Sequence, residues 1–139
     1  MTKGRCGSNR STPFSEDGER RTHGWIGVDL DGTLAKSLKL RAAEHIGGPI
    51  NRMVKRVKKW LAEGQEVRIF TSRVNPNHRR IEALRARAAI EAWSKRHLGR
   101  ALPVTHEKDW NMMLLFDDRA RQVERNTGRV LSSSSTKRL

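Results

Sequence analysis

Cysteine is nearly missing from this chain: Cys6 is the single one among 139 residues. A lone thiol makes no internal disulfide and no thiolate metal site, so the expected compartment is a reducing one, the cytoplasm. Long apolar runs are missing as well. No stretch approaches the ~18 residues of a membrane span. The opening segment MTKGRCGSNRSTPFSEDGERRTHG has no apolar block of the kind a secretory signal needs. No GxxxxGK[ST] occurs, which excludes a P-loop kinase, and no G-x-S-x-G surrounds Ser72, which excludes a serine-hydrolase elbow. His23, His45, His78, His97 and His106 are scattered without a metal-binding spacing and read as surface or loop residues. Acids are scarce, 15 against 29 basic residues, giving a net charge of +14 and a pI near 11.3. Such a surface attracts polyanions.

The few acids are concentrated at informative places. Trp25-Ile26-Gly27-Val28-Asp29-Leu30-Asp31-Gly32-Thr33-Leu34 is an apolar run closed by two aspartates and an Asp-Gly turn. It reads as a buried strand whose end carries both carboxylates. In an α/β fold that end faces the ligand crevice. Two neighbouring carboxylates repel unless a cation or a proton relieves them, an arrangement suited to phosphoryl chemistry assisted by Mg²⁺. Val67-Arg68-Ile69-Phe70-Thr71-Ser72-Arg73 is a second strand ending in hydroxyls, and Leu102-Pro103-Val104-Thr105 a short third one followed by Lys108. Met112-Met113-Leu114-Leu115-Phe116-Asp117-Asp118 is a fourth apolar run, again ending in two carboxylates.

These four segments, in this order, resemble the motifs of the haloacid dehalogenase (HAD) superfamily of phosphotransferases over roughly residues 24–131. The resemblance implies Asp29 as nucleophile, Asp31 as acid and base, and Thr71 and Lys108 as phosphate-binding residues. It also implies a Mg²⁺ held by Asp29, Asp117, Asp118 and the backbone carbonyl of Asp31. Within the family, DLDGTLAK, Ser72-Arg73 and Asp117-Asp118-Arg119 are similar to the 3′-phosphatase domains of phage polynucleotide kinases, where an arginine at the place of Arg73 binds phosphate. The segment between Lys108 and Asp117 is shorter here than there, and Arg41 is a loose counterpart for that branch's flap arginine.

The organisation expected is one domain over 24–131, between disordered polar tails at 1–23 and 132–139. Pro49 is expected to open a helix, where its missing N–H costs nothing; Ile50, Met53, Val54, Val57 and Leu61 follow at helical spacing and Gly64 caps its end, with Lys55, Arg56, Lys58 and Lys59 on the other face. A second helix is expected near 77–97, with Ile81, Leu84, Ala88 and Ala92 as its buried stripe. A short helix over 119–125 and an edge strand at 129–131 complete a three-layer, Rossmann-like α/β fold: a mainly parallel sheet with helices on both faces. Trp60, Trp93 and Trp110 read as core or surface anchors. Residues 34–70 and 74–107 leave no room for a cap domain, so the site should be open, admitting a large substrate or closing against a second subunit. The function expected is a Mg²⁺-dependent phosphomonoesterase working on a phosphorylated substrate, with nucleotide or nucleic-acid 3′-phosphates fitting the basic surround. The alternatives are a basic nucleic-acid-binding module on the same scaffold and a small-metabolite phosphatase closed by oligomerisation.

Overall fold

The computed structural model describes residues 24–39, 42–77 and 79–131. The expectations for the two tails, Arg41 and His78 lie outside the described residues. Four strands form one sheet: β1 (Trp25–Asp29), β2 (Glu66–Phe70), β3 (Val104–Thr105) and β4 (Met112–Phe116). Their spatial order is β3-β2-β1-β4, and every pairing is parallel. Two helices, α1 (Asn51–Ala62) and α2 (Arg80–Leu98), make the crossovers from β1 to β2 and from β2 to β3. The fold is therefore the expected Rossmann-like α/β type. Both crossovers step the same way along the sheet, so right-handed connections put both helices on one face, where they touch each other. The helical layer expected on the opposite face, and with it the three-layer arrangement, is not found among the described residues, because both crossovers step the same way and the segment after β4 forms no helix. On that face the Arg68 guanidinium lies 4.5 Å from the centre of the buried Trp25 ring. Trp25 Nε1 donates to Asp109 at 2.7 Å. Among the described residues no helix is long and apolar enough to cross a membrane.

The core fills the space between sheet and helices. Ile26 and Val28 of β1, Val67 and Ile69 of β2, and Val54 and Val57 of α1 meet Ala86, Ile90 and Trp93 of α2. Helix α1 buries the stripe that its periodicity predicts, Met53, Val54 and Val57. Ile50 is its N-cap, so Pro49 precedes the cap rather than occupying the first turn. Helix α2 departs from expectation. Its buried positions are Ala83, Ala86, Ile90, Trp93, Ser94 and Leu98, while Ile81 and Leu84 are 66% and 62% exposed. Alanines on both flanks make two faces of this helix equally apolar in sequence. The bulk of Trp93 and Leu98 decides between them, helped by a bond from Trp93 Nε1 to Gly47 O at 2.9 Å. Gly99 ends the helix in the left-handed region, φ 89°.

Residues 119–125 form no helix. The Asp117 carboxylate accepts from Arg119 N–H at 2.8 Å, a local bond that competes with helical pairing. A turn follows in which Glu124 N–H donates to Arg129 O and Val123 bridges antiparallel to Val130. The expected edge strand at 129–131 is thus one arm of a small hairpin outside the main sheet.

Candidate active site

A parallel sheet delivers the ends of its strands to one edge, and three strands end here in polar groups. β1 leads into Asp29-Leu30-Asp31, β2 into Thr71-Ser72-Arg73, and β4 into Asp117-Asp118. Asp29, Asp31, Phe70, Thr71, Ser72, Asn75, His106, Asp117 and Arg119 line one open cavity of about 440 Å³. The loop after β1 is fixed by its own backbone: Leu30 O accepts from Thr33, Leu34 and Ala35 N–H, and Gly32 N–H donates to Ala35 O at 2.8 Å.

Asp29, Asp117 and Asp118 form the acidic centre, each placing a carboxylate oxygen within 4.8 Å of the other two. Thr33 ties it together. Its hydroxyl stands 3.2 Å from both Asp29 Oδ2 and Asp118 Oδ1, donates to one at a time, and accepts from Asp118 N–H at 2.9 Å. Gly32 is required by this closeness. Its φ is +92°, and a Cβ there would stand 2.6 Å from Asp118 Oδ2. Burial foremost, then the charge of Asp117 and the contact with Asp118, push the Asp29 carboxyl up to about 7, against the opposing bond from Thr33. A cluster that raises a carboxyl so far is short of positive charge, and three hard oxygen donors fit a divalent cation such as Mg²⁺.

Asp31 stands apart from this trio. Its two oxygens accept from Arg73 Nε and Nη2, both at 2.9 Å, in a two-pronged pair. The Arg73 side chain is only 6% exposed and also donates from Nη1 to Ala43 O at 2.8 Å. The arginine expected to bind phosphate is therefore engaged in orienting Asp31 and the loop after it. The Asp31 carboxylate is correspondingly not a member of the carboxylate trio.

Thr71 directly follows β2 and lines the cavity. It is buried, its N–H donates to Thr105 O at 2.9 Å, and its hydroxyl accepts from Arg73 N–H at 3.2 Å, leaving the hydroxyl proton available to the cavity. Lys108 does not join the site. It lines a separate depression with Asp109, Trp110 and residues of β4. The Thr105 hydroxyl accepts from Glu107 N–H at 3.1 Å, and His106 lies on the cavity wall. His106, Asn75 and Thr33 were not legible as site residues. A loop histidine, an asparagine and a threonine in an Asp-Gly turn carry no spacing signal, and only their nearness to the motif residues marks them.

No family model and no curated relative matches the chain. Among solved structures it is similar to a conserved protein of Bacteroides thetaiotaomicron, at 22% identity and a TM-score of 0.47, over 71% of this chain and 78% of that one.

Proposed function

We propose that the protein is a Mg²⁺-dependent phosphomonoester hydrolase of the HAD type. The observation that carries the reading is the carboxylate trio at the ends of adjacent parallel strands, with Asp31 and the Thr71 hydroxyl lining the same cavity. Three clustered acids with no cation among them weaken a fold, so a purely structural role accounts poorly for them.

In this reading an Asp29 oxygen attacks phosphorus, and the bond to the leaving oxygen breaks with its electron pair. Asp31 supplies the proton that the leaving oxygen takes up. A water then attacks the aspartyl-phosphate and gives its proton to Asp31, and the Asp29–phosphorus bond breaks, releasing phosphate and restoring Asp29 as a carboxylate and Asp31 as the acid. Arg73 holds Asp31 in one orientation through both steps. Thr71 donates its hydroxyl proton to a phosphoryl oxygen, and Asn75 and His106 on the wall face whatever group the phosphate leaves. Asp29, Asp117 and Asp118 would hold Mg²⁺, which supplies charge neutralisation where carboxylates and phosphoryl oxygens meet. The lone cysteine supports placing this activity in the cytoplasm.

The test is turnover of p-nitrophenyl phosphate and a panel of phosphorylated metabolites and oligonucleotides, with Mg²⁺ and with EDTA. Chelator-sensitive release of phosphate is expected. Its absence across the panel would overturn the reading.

A further inference from the structure

Helix α1 contains no acidic residue: Asn51–Ala62 reads NRMVKRVKKWLA. Arg52, Lys55, Arg56 and Lys59 lie at i, i+3, i+4 and i+7, which is one face of a helix. All four are exposed, and together with Asn51 they line one open depression of about 520 Å³. Lys58, also exposed, stands off this face. The fold needs only the opposite side, where Met53, Val54 and Val57 are buried.

Helix stability does not explain the basic side. Like charges three or four residues apart cost about 0.2–0.5 kcal/mol per pair. Cations in the first turn oppose the helix dipole, and that turn has neither an acid nor a side-chain cap from Ile50. Counter-charge is slight: Lys59 has a solvent-exposed pair with Glu63 at 3.6 Å, and Arg56 reaches Met53 Sδ at 3.5 Å. A bound polyanion would offset all of these costs at once.

The helix also starts beside the catalytic loop. Ile50 N–H donates to Leu34 O at 2.9 Å and Lys36 N–H to Gly48 O at 2.8 Å, while Ala35 and Pro49 form a bridge. The four cations thus make a track from the cavity's edge of the sheet, running about 10 Å along the helix at 1.5 Å per residue. No large apolar side chain accompanies them, so the face lacks what an interfacial helix inserts into lipid.

We infer that this face of α1 binds the phosphate backbone of a single-stranded nucleic acid whose terminal phosphate enters the cavity. The second half rests on the phosphatase reading, whereas the backbone contact stands without it. Binding is therefore measured on full-length Asp29→Asn protein, with a single-stranded oligonucleotide titrated across a range of salt. One variant changes Arg52, Lys55, Arg56 and Lys59 to glutamine, a good helix former. A control changes the exposed Arg80, Arg85, Lys95 and Arg96 of α2 in the same way. At ~0.7 per neutralised phosphate on a single strand, the slope of log K against log salt should fall by about 3 in the α1 variant. Affinity at low salt should fall at least about tenfold, and the control should lose much less. With Asp29 restored, the α1 variant should keep wild-type turnover of p-nitrophenyl phosphate, which separates strand binding from catalysis. Equal losses in the two variants would overturn the inference. So would a slope unchanged by the α1 substitutions, or equally tight α1-dependent binding to phosphatidylserine vesicles.

Discussion

Titrating thermal stability against pH, with and without Mg²⁺, exposes the strain that the acidic centre places on the fold. Asp29 takes up its proton at about 7 in the folded chain, against 3.8 for an unperturbed carboxyl. Between those values the folded state binds more protons than the unfolded one, so the stability of the metal-free fold must fall as pH rises from about 4 to 7. Three units at 1.36 kcal/mol each come to about 4 kcal/mol, and water reaching this open cavity reduces that to about 2 kcal/mol. For a domain of this size that corresponds to about 10 °C in melting temperature. Above pH 7 the cost is fully present, and a cation among the carboxylates removes it. Differential scanning fluorimetry should show the metal-free melting temperature declining from pH 4.5 to 7.5. Mg²⁺ should recover most of the loss at pH 7.5 and little at pH 4.5. Asp29→Asn, which removes the charge, should flatten the metal-free profile and shrink the Mg²⁺ gain. A wild-type melting temperature independent of pH over this range, with no response to Mg²⁺, would refute the reasoning.

Other expectations follow from particular contacts. Arg73→Lys cannot reproduce a two-pronged bond to Asp31 and should lower kcat more than it raises KM, whereas Arg73→Ala should also cost about 2–4 kcal/mol in urea denaturation. Gly32→Ala forces a Cβ against Asp118 at a positive φ and should cost about 1–3 kcal/mol, with weaker Mg²⁺ stabilisation. A variant as stable and as Mg²⁺-responsive as the wild type would count against the acidic centre as described. Asp117→Ala should raise the Mg²⁺ concentration needed for half-maximal activity, and full activity after exhaustive chelation would contradict the metal assignment.

How far the sequence revealed the site depended on the kind of signal. Asp29, Asp117 and Asp118 stood out because a carboxylate pair closing an apolar run is rare, and a parallel sheet gathers such ends at one edge. Thr71 was singled out only through the family resemblance, because a hydroxyl at a strand end carries no signal of its own. Lys108 lies on another depression, beyond the two residues of the third strand that pair with the sheet, Val104 and Thr105. The turn after them, held by the Thr105 hydroxyl, cannot be read from charge or spacing. Arg73 was legible as a functional arginine but not as the partner of Asp31, since that pair joins residues 42 positions apart. The face of α2 was misread because an alanine-rich helix presents two apolar stripes, and only tertiary packing chooses between them. The helix expected at 119–125 lost to short-range bonds from Asp117 and Glu124 that pattern reading does not weigh.

The central claim is that Asp29 forms a covalent phosphoryl intermediate, and rapid acid quenching with a ³²P-labelled phosphomonoester in Mg²⁺ tests it most directly. The account predicts label on wild-type protein, mapped to Asp29 and released by neutral hydroxylamine, with neither label nor turnover in Asp29→Asn. Turnover persisting in Asp29→Asn, or label carried by another residue, would contradict it.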